Sequence, residues 1–447
     1  MQYSARPPRQ APPKSVFVRR ADGQNLYRTA LPSTRSAAAP LPKNRRHWPW
    51  VLAVFVVLAL VAGGYFATRH TGTMGVSPHK SGATQQAART SPATIRFIAT
   101  GDFIAHAAIN AAAKNSQGTY DYLPMMQNFQ PIFAQADVRF CNDPILNGGT
   151  QFGIAGYPQF NSPTEFVRDM GRLGCNVVNT ASNHSFDKNQ AAISASVDAW
   201  DKVPNMLAVA GQNRSPAEHD KVHLFTVQGV RMAFLAYTAY INNDAPAQNN
   251  YGVNVFSRDF ASQQIQQAKQ QGAQCIIVSM RWGTEYSSQV NAEQTADAQF
   301  LADQGVQVVL GHGPHELQPV ATLTGANGGK TLVWYSLGNF LNAQEPPETL
   351  FNGIAVMSID TATKSITVNG YLPIYMHYEW TAAQAAADQT DLRTNFHLYP
   401  LEDATQEMLH AQQLNTTIPA QKQRIATTLA ADGATIPLWT VADYTKN

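Results

Sequence analysis

The sequence predicts an α/β protein with a sheet core, preceded by one membrane-spanning helix. Three observations carry this. Beyond Ile95 short β-branched runs alternate with helix-periodic stretches, two later pairs of runs read as hairpins, and Trp50 to Ala67 is an uncharged apolar stretch.

Residues 1–46 hold ten Lys/Arg, from Arg6 to Arg46, against Asp22 alone. Pro-rich and without apolar periodicity, they read as a disordered basic arm drawn to anionic lipid headgroups. Residues 48–68 read as the anchor, since Trp50 to Ala67 reaches the span of about eighteen residues that a bilayer requires, and Trp48, Trp50, Tyr65 and Phe66 suit its two interfaces. A buried core helix is the weaker alternative because nothing compact precedes it. A cleaved signal peptide is the stronger rival, but the basic lead is long and no small-x-small cleavage word follows. Positive flanks stay cytoplasmic, so the expectation is a single-pass protein of the cell membrane with its C-terminal part outside. The whole chain carries +2, yet the part beyond the arm is net acidic, which makes nucleic acid a poor partner.

Residues 69–94, rich in Thr, Ser, Gly and Gln, read as a flexible stalk. From 95 to 376 a single domain is expected, with strands at Ile95–Thr100, Val138–Cys141, Asn176–Thr180, Cys275–Met280 and Val306–Leu310. Helices are expected at Ser162–Leu173, with Ser162 as cap, and at Gln190–Trp200, Arg258–Gln271 and Ala292–Gln304. Val222–Val227 with Met232–Tyr237, and Ile354–Ile359 with Ser365–Gly370, read as antiparallel hairpins. Residues 377–447 read as an extension packing on the domain, helical near Ala404–Gln413 and Ala420–Ala431. Of three cysteines, each beside a buried run, Cys141 and Cys175 could pair in an exported domain or remain small hydrophobes. The sequence does not choose.

Chemistry concentrates where the strands end. Thr100-Gly101-Asp102, Thr180-Ala181-Ser182-Asn183-His184 with Asp187, and Gly311-His312-Gly313-Pro314-His315 each follow an apolar run, the position where open α/β sheets bind ligands. Carboxylate, amide oxygen and imidazole from separate strand ends are donors that divalent transition metals accept. Read singly, each word is as well explained by a turn or a helix cap. Asp102 could cap a helix starting near Ile104, and Asp187 one starting at Asn189.

In family order these words, with Ala136-Asp137, Phe140-Cys141-Asn142-Asp143-Pro144, Trp282-Gly283-Thr284-Glu285-Tyr286, Gln318-Pro319 and Tyr335-Ser336-Leu337-Gly338-Asn339-Phe340, resemble the CapA family of capsule poly-gamma-glutamate synthesis proteins over roughly Ile95 to Met376. The resemblance implies a calcineurin-type metallophosphatase fold, a layered α/β/β/α sandwich. It further implies a bacterial envelope location, an anionic polymer as substrate, and polymer synthesis or export membrane proteins as partners. It offers Asp102, Asp143, Asn183, His312 and His315 as ligands for a divalent metal such as Mn, Fe or Zn. His184, oriented by Asp187, and Glu285 take catalytic roles, while Ser336 and Asn339 lie on the substrate side.

Three positions depart from the family pattern. Arg281 stands where the family carries His, Gly313 where it carries the first His of Gly-x-His-Pro-His, and Asn142-Asp143 replaces Asn-Leu-Glu. A guanidinium has no lone pair to give a cation, so Arg281 suits an anionic substrate group instead. One metal on Asp102, Asn183, His184 and His315 is therefore expected rather than two. Metal-assisted hydrolysis is the expected chemistry, and a non-catalytic polymer-binding or export subunit is the alternative. Glu285 is expected either to act on substrate or to pair with Arg281.

Overall fold

The computed structural model describes residues 93–430 and 435–446. The expected arm and anchor, with Trp50 to Ala67, and nearly all of the stalk lie outside them. Among the described residues no helix is long and apolar enough to cross a membrane.

The strands in chain order are β1 (Thr94–Phe103), β2 (Val138–Asn142), β3 (Val177–Asn179), β4 (Ala208–Ala210), β5 (His223–Val227), β6 (Val230–Thr238), β7 (Cys275–Arg281), β8 (Val308–His312), β9 (Val320–Thr324), β10 (Lys330–Trp334), β11 (Asn339–Leu341), β12 (Phe351–Asp360), β13 (Ile366–Glu379) and β14 (Thr394–Pro400). They form two mixed sheets. One runs β14-β13-β12-β1-β2-β3-β4 with β11 also on β1, and the other runs β5-β6-β7-β8-β10-β9. The parallel strands β1, β2 and β3 and the parallel strands β7 and β8 supply the ends on which the site is built.

Period-two alternation makes β6 an inner strand of the sandwich. Met232, Phe234 and Ala236 join the core shared with the first sheet, where Phe234 meets Phe140 with ring centroids 5.9 Å apart. Ala233, Leu235 and Tyr237 point the other way and pack with Ala261, Ile265 and Ala268 of the helix Arg258–Gln270. The helix Ala292–Asp303 adds Ala298 and Leu301 to that outer layer. Helices Glu165–Leu173 and Gln190–Trp200 bury Phe166, Met170, Ile193 and Trp200 in the first sheet's core. Truncating Phe140 to Ala would cost about 3–5 kcal/mol, since the two sheets cannot close around the lost ring.

The expected strands and hairpins are present within a few residues, whereas β4, β9, β11 and β14 were not foreseen. Ser162 does not cap its helix, which starts at Glu165 after Thr164 without a side-chain cap. Asp102 caps nothing either: β1 runs on through Phe103, and the next helix, Ala107–Ala113, starts after His106. The C-terminal segment carries its expected helices at Gln406–Ala411 and Ile418–Leu429, but it also adds β14 to the first sheet against β13. Cys141 and Cys175 form a disulfide with Cα atoms 5.8 Å apart, and Cys275 is free and buried.

Candidate functional site

A pocket of about 630 Å³ opens at the strand ends, lined among others by Asp102, His106, Asn183, His184, Arg281, Glu285, His315 and Arg393. Asp102 is a buried part of its wall. Gly101 lets β1 pass so close to β11 that a Cβ there would lie 2.1 Å from the Gly338 carbonyl oxygen, and the Asp102 amide donates to that oxygen at 2.9 Å. Asn142, level with Asp102 on β2, donates from Nδ2 to Asp102 Oδ1 at 2.7 Å. Asn179, level with Asn142 on β3, donates to Asn142 Oδ1 at 2.6 Å. A file of two amides across three strand ends thus fixes the carboxylate.

Two imidazoles face that carboxylate. His315 Nδ1 lies 3.0 Å from Asp102 Oδ2 and 3.2 Å from Asn339 Oδ1. His312 Nδ1 is 3.5 Å from Asp102 Oδ1, and its fully buried ring stacks on Phe140 with neither nitrogen in a formed hydrogen bond. Burial pushes the Asp102 carboxyl upward, but the contacts with His312 and His315 outweigh it and hold it well below the ordinary carboxylate range.

Opposite them, His184 Nδ1 meets Asp187 Oδ2 at 2.6 Å, and Asp187 also accepts from the Phe160 amide at 2.7 Å. Asn183 accepts from the Ser182 hydroxyl at 2.9 Å and reaches Asn242 at 3.3 Å. On the third side β7 ends at Arg281, only 2 % exposed, which donates from Nη2 to Glu285 at 2.6 Å and lies 4.7 Å from the Tyr240 ring centroid. Arg281 Nη1 is buried without a partner. Trp282 packs inside and donates to the Tyr335 carbonyl at 2.8 Å.

The structure therefore brings Asp102, Asn183, His184, Asp187, Arg281, Glu285, His312, His315 and Asn339 together, but not Asp143 or Ser336. Asp143 turns to the opposite face from Asn142, as neighbouring residues at a strand end do, and accepts from Asn147 Nδ2 and from Trp200 Nε1 at 3.1 Å. Burial pushes its carboxyl up to about 7 against those hydrogen bonds. Ser336 is fully buried and donates to the Glu316 carbonyl at 2.7 Å, a loop-fixing role.

Sequence reasoning missed Asn179 and Arg393, and it gave His106, which lines the pocket, no role. Asn179 was legible as a polar residue closing an apolar run. His106 had no such signal; burial pushes its imidazole down to about 3, which keeps it neutral. Arg393 lies in the segment read only as helices.

A two-ion centre does not fit these residues. Asp143 is turned away, a cation occupies the Arg281 position, and Gly313 has no donor. Its φ of 113° and the 2.5 Å between a Cβ there and the Trp282 carbonyl oxygen exclude a side chain without strain. Among the described residues no group of three or more His, Cys, Asp or Glu is laid out as a metal cage. The unpartnered nitrogens of His312 beside Asp102 and His315 are nevertheless donors of the kind one divalent cation takes, with Asn183 across the pocket.

The model of the family described as bacterial capsule synthesis protein PGA_cap matches residues 96–344, more than half of the chain. The chain belongs to that family. Family relatives include the PGA biosynthesis protein CapA of Bacillus subtilis (strain 168), 29% identical over 178 residues, 40% of this chain and 45% of that protein. The capsule biosynthesis protein CapA of Bacillus anthracis is 28% identical over 181 residues, 40% of this chain and 42% of that one. The chain thus spans under half the length of these curated relatives. Among solved structures, Haemophilus influenzae NAD nucleotidase (NadN) aligns with TM-score 0.42 at 12% identity over 79% of this chain and 59% of the other. The calcineurin-like phosphoesterase YfkN of Bacillus subtilis aligns with TM-score 0.35 at 13% identity over 74% and 97%. Likenesses of that size say nothing about the site. The family match covers Asp102, Asn183, Arg281 and His315 but ends before Glu345 and Arg393.

Proposed function

We propose that this capsule-synthesis family member acts on poly-gamma-glutamate, or a similar anionic envelope polymer, in the pocket between Asp102 and Arg281. The observation that carries this reading is Arg281, a buried guanidinium in the pocket wall of a chain of this family, whose Nη1 has no hydrogen-bond partner. Guanidinium pairs with carboxylate in a two-bond fork, and a polymer carboxylate can complete it. The exposed rings of Tyr157 and Tyr286 stand at the pocket, where an extended chain would pass.

One divalent cation, manganese, iron or zinc, would be held by Asp102, His312 and His315 with Asn183, and would supply Lewis-acid polarisation. The residues themselves divide the other work. Asp187 holds the Nδ1 side of His184, which leaves Nε2 to give a proton to, or take one from, the reacting group. Arg281 orients the polymer, and the amide file holds Asp102 in place.

The Cys141–Cys175 disulfide supports an exported domain, because such bonds persist in oxidising compartments. Anchoring through Trp50 to Ala67 with the basic arm inside completes the proposal. Protease added to intact cells should remove everything after Arg69, and a protected C-terminal part would overturn the orientation. A second reading, a polymer-binding or export subunit without turnover, is favoured by Asp143 turned away and by Gly313. Chain length of poly-gamma-glutamate after incubation with the metal-loaded protein separates the two: shortening supports hydrolysis, and binding without shortening supports the subunit.

A further inference from the structure

The pocket contains two guanidinium–carboxylate pairs with the same asymmetry. Arg281 is 2 % exposed and its partner Glu285 40 %, at 2.6 Å. Arg393 is 3 % exposed and its partner Glu345 51 %, also at 2.6 Å. Each guanidinium lies on aromatic rings, Arg281 on Tyr240 at 4.7 Å and Arg393 on Trp380 at 4.2 Å and Tyr378 at 4.8 Å. Each keeps one buried nitrogen without a partner, Nη1 in Arg281 and Nε in Arg393. Arg393 is further pinned by donating to the Ala343 carbonyl. The cations are thus rigid parts of the wall, whereas the carboxylates facing them are half in water and free to leave.

We infer that Arg393 forms a second anion subsite in this pocket, and that Glu285 and Glu345 are internal stand-ins for two carboxylates of the ligand. The ligand class is a polyanion with repeating carboxylates, read at two points. A glutamate side chain is the group that a glutamate polymer presents, so exchanging one for the other changes neither charge nor hydrogen-bond geometry at the guanidinium. A buried, ring-stacked arginine also loses little freedom on binding. Arg393 comes from the segment before β14 and, with Glu345, lies beyond the family match, so the second of the two points is supplied by this chain's C-terminal part.

This inference rests on the anionic-polymer reading, and two probes keep their failures apart: a short γ-linked glutamate oligomer and inorganic polyphosphate, each titrated calorimetrically into the full chain and its variants. Arg393→Gln should weaken oligomer binding by on the order of tenfold, as loss of a charged hydrogen-bonded contact does. Glu345→Gln should strengthen it, because the internal competitor is gone. The opposite sign keeps the test alive if Arg393→Gln folds poorly, and melting temperatures report that. Oligomer binding that depends on Arg281 but is unchanged in both other variants would overturn the second subsite and spare the polymer reading. Arg393-dependent binding of polyphosphate alone would keep the subsite and overturn the glutamate polymer. Binding of neither probe would overturn both.

Discussion

His315 Nδ1 stands 3.0 Å from Asp102 Oδ2, although 213 positions separate the two residues in the chain. His312 Nδ1 lies 3.5 Å from the other carboxylate oxygen, and the proposed single cation would draw on these three side chains. Manganese titration should therefore reach no more than one ion per chain, and His315→Ala should abolish it. Asn142→Ala leaves every donor in place but frees the carboxylate, so affinity should fall roughly 10–100-fold. Binding of two ions would refute the one-ion centre.

Restoring the family pattern at single positions should not rebuild a second ion site. Gly313→His forces a side chain onto a backbone at φ 113° and against the Trp282 carbonyl, at a cost of about 1–3 kcal/mol. The expected result is a lower melting temperature with unchanged metal stoichiometry. Arg281→His removes the fork instead, and Glu285, being 40 % exposed, stays hydrated rather than stranded. Polymer affinity should drop while stability changes little, and the parent's affinity should fall as salt rises.

Asp143 gives a pH signature. Its carboxyl is near 7 in the fold and near the ordinary 3.8 when unfolded, so the folded state holds the extra proton between those values. Stability from this group is full below about pH 4 and declines as pH rises to about 7. Asp143→Asn keeps an acceptor for Trp200 and cannot ionise. Its melting temperature should exceed the parent's at pH 8 and converge with it at pH 4; parallel curves would show that Asp143 is not raised.

The disulfide should leave one thiol, Cys275, in the exported protein when it is denatured without reductant. Cys141→Ala with Cys175→Ala should lower stability by about 3–4 kcal/mol, the loop-closure value for a cross-link across 34 residues. Three reactive thiols in the protein denatured without reductant would remove this support for export.

Strand and helix positions were legible because their signals are local. β7 and β8 are apolar runs with adjacent β-branched residues, and Gln190–Trp200 and Ala292–Asp303 are runs of good helix formers that start at Asn189 and Asn291, whose side chains cap them. Some strands were not. β4 and β11 have three residues each and, unlike the equally short β3 with its Val177-Val178, offer no β-branched pair, while β14 exists because β13 offers it an edge. Asp102, Asn183, His184 and His315 stood out as polar words after apolar runs, and the pocket contains all four.

The sequence by itself determined the α/β class, the family and the strand ends from which the site is drawn, since composition and order are written in it. Only the tertiary structure decided which side each end residue faces. A one-residue step along a strand reverses a side chain, so Asn142 holds Asp102 while Asp143 binds Trp200 on the other face. Folding alone joined Cys141 to Cys175 and carried Arg393 from the C-terminal segment to the pocket of Arg281. Such contacts depend on distances closed by the whole chain, and no local pattern encodes them.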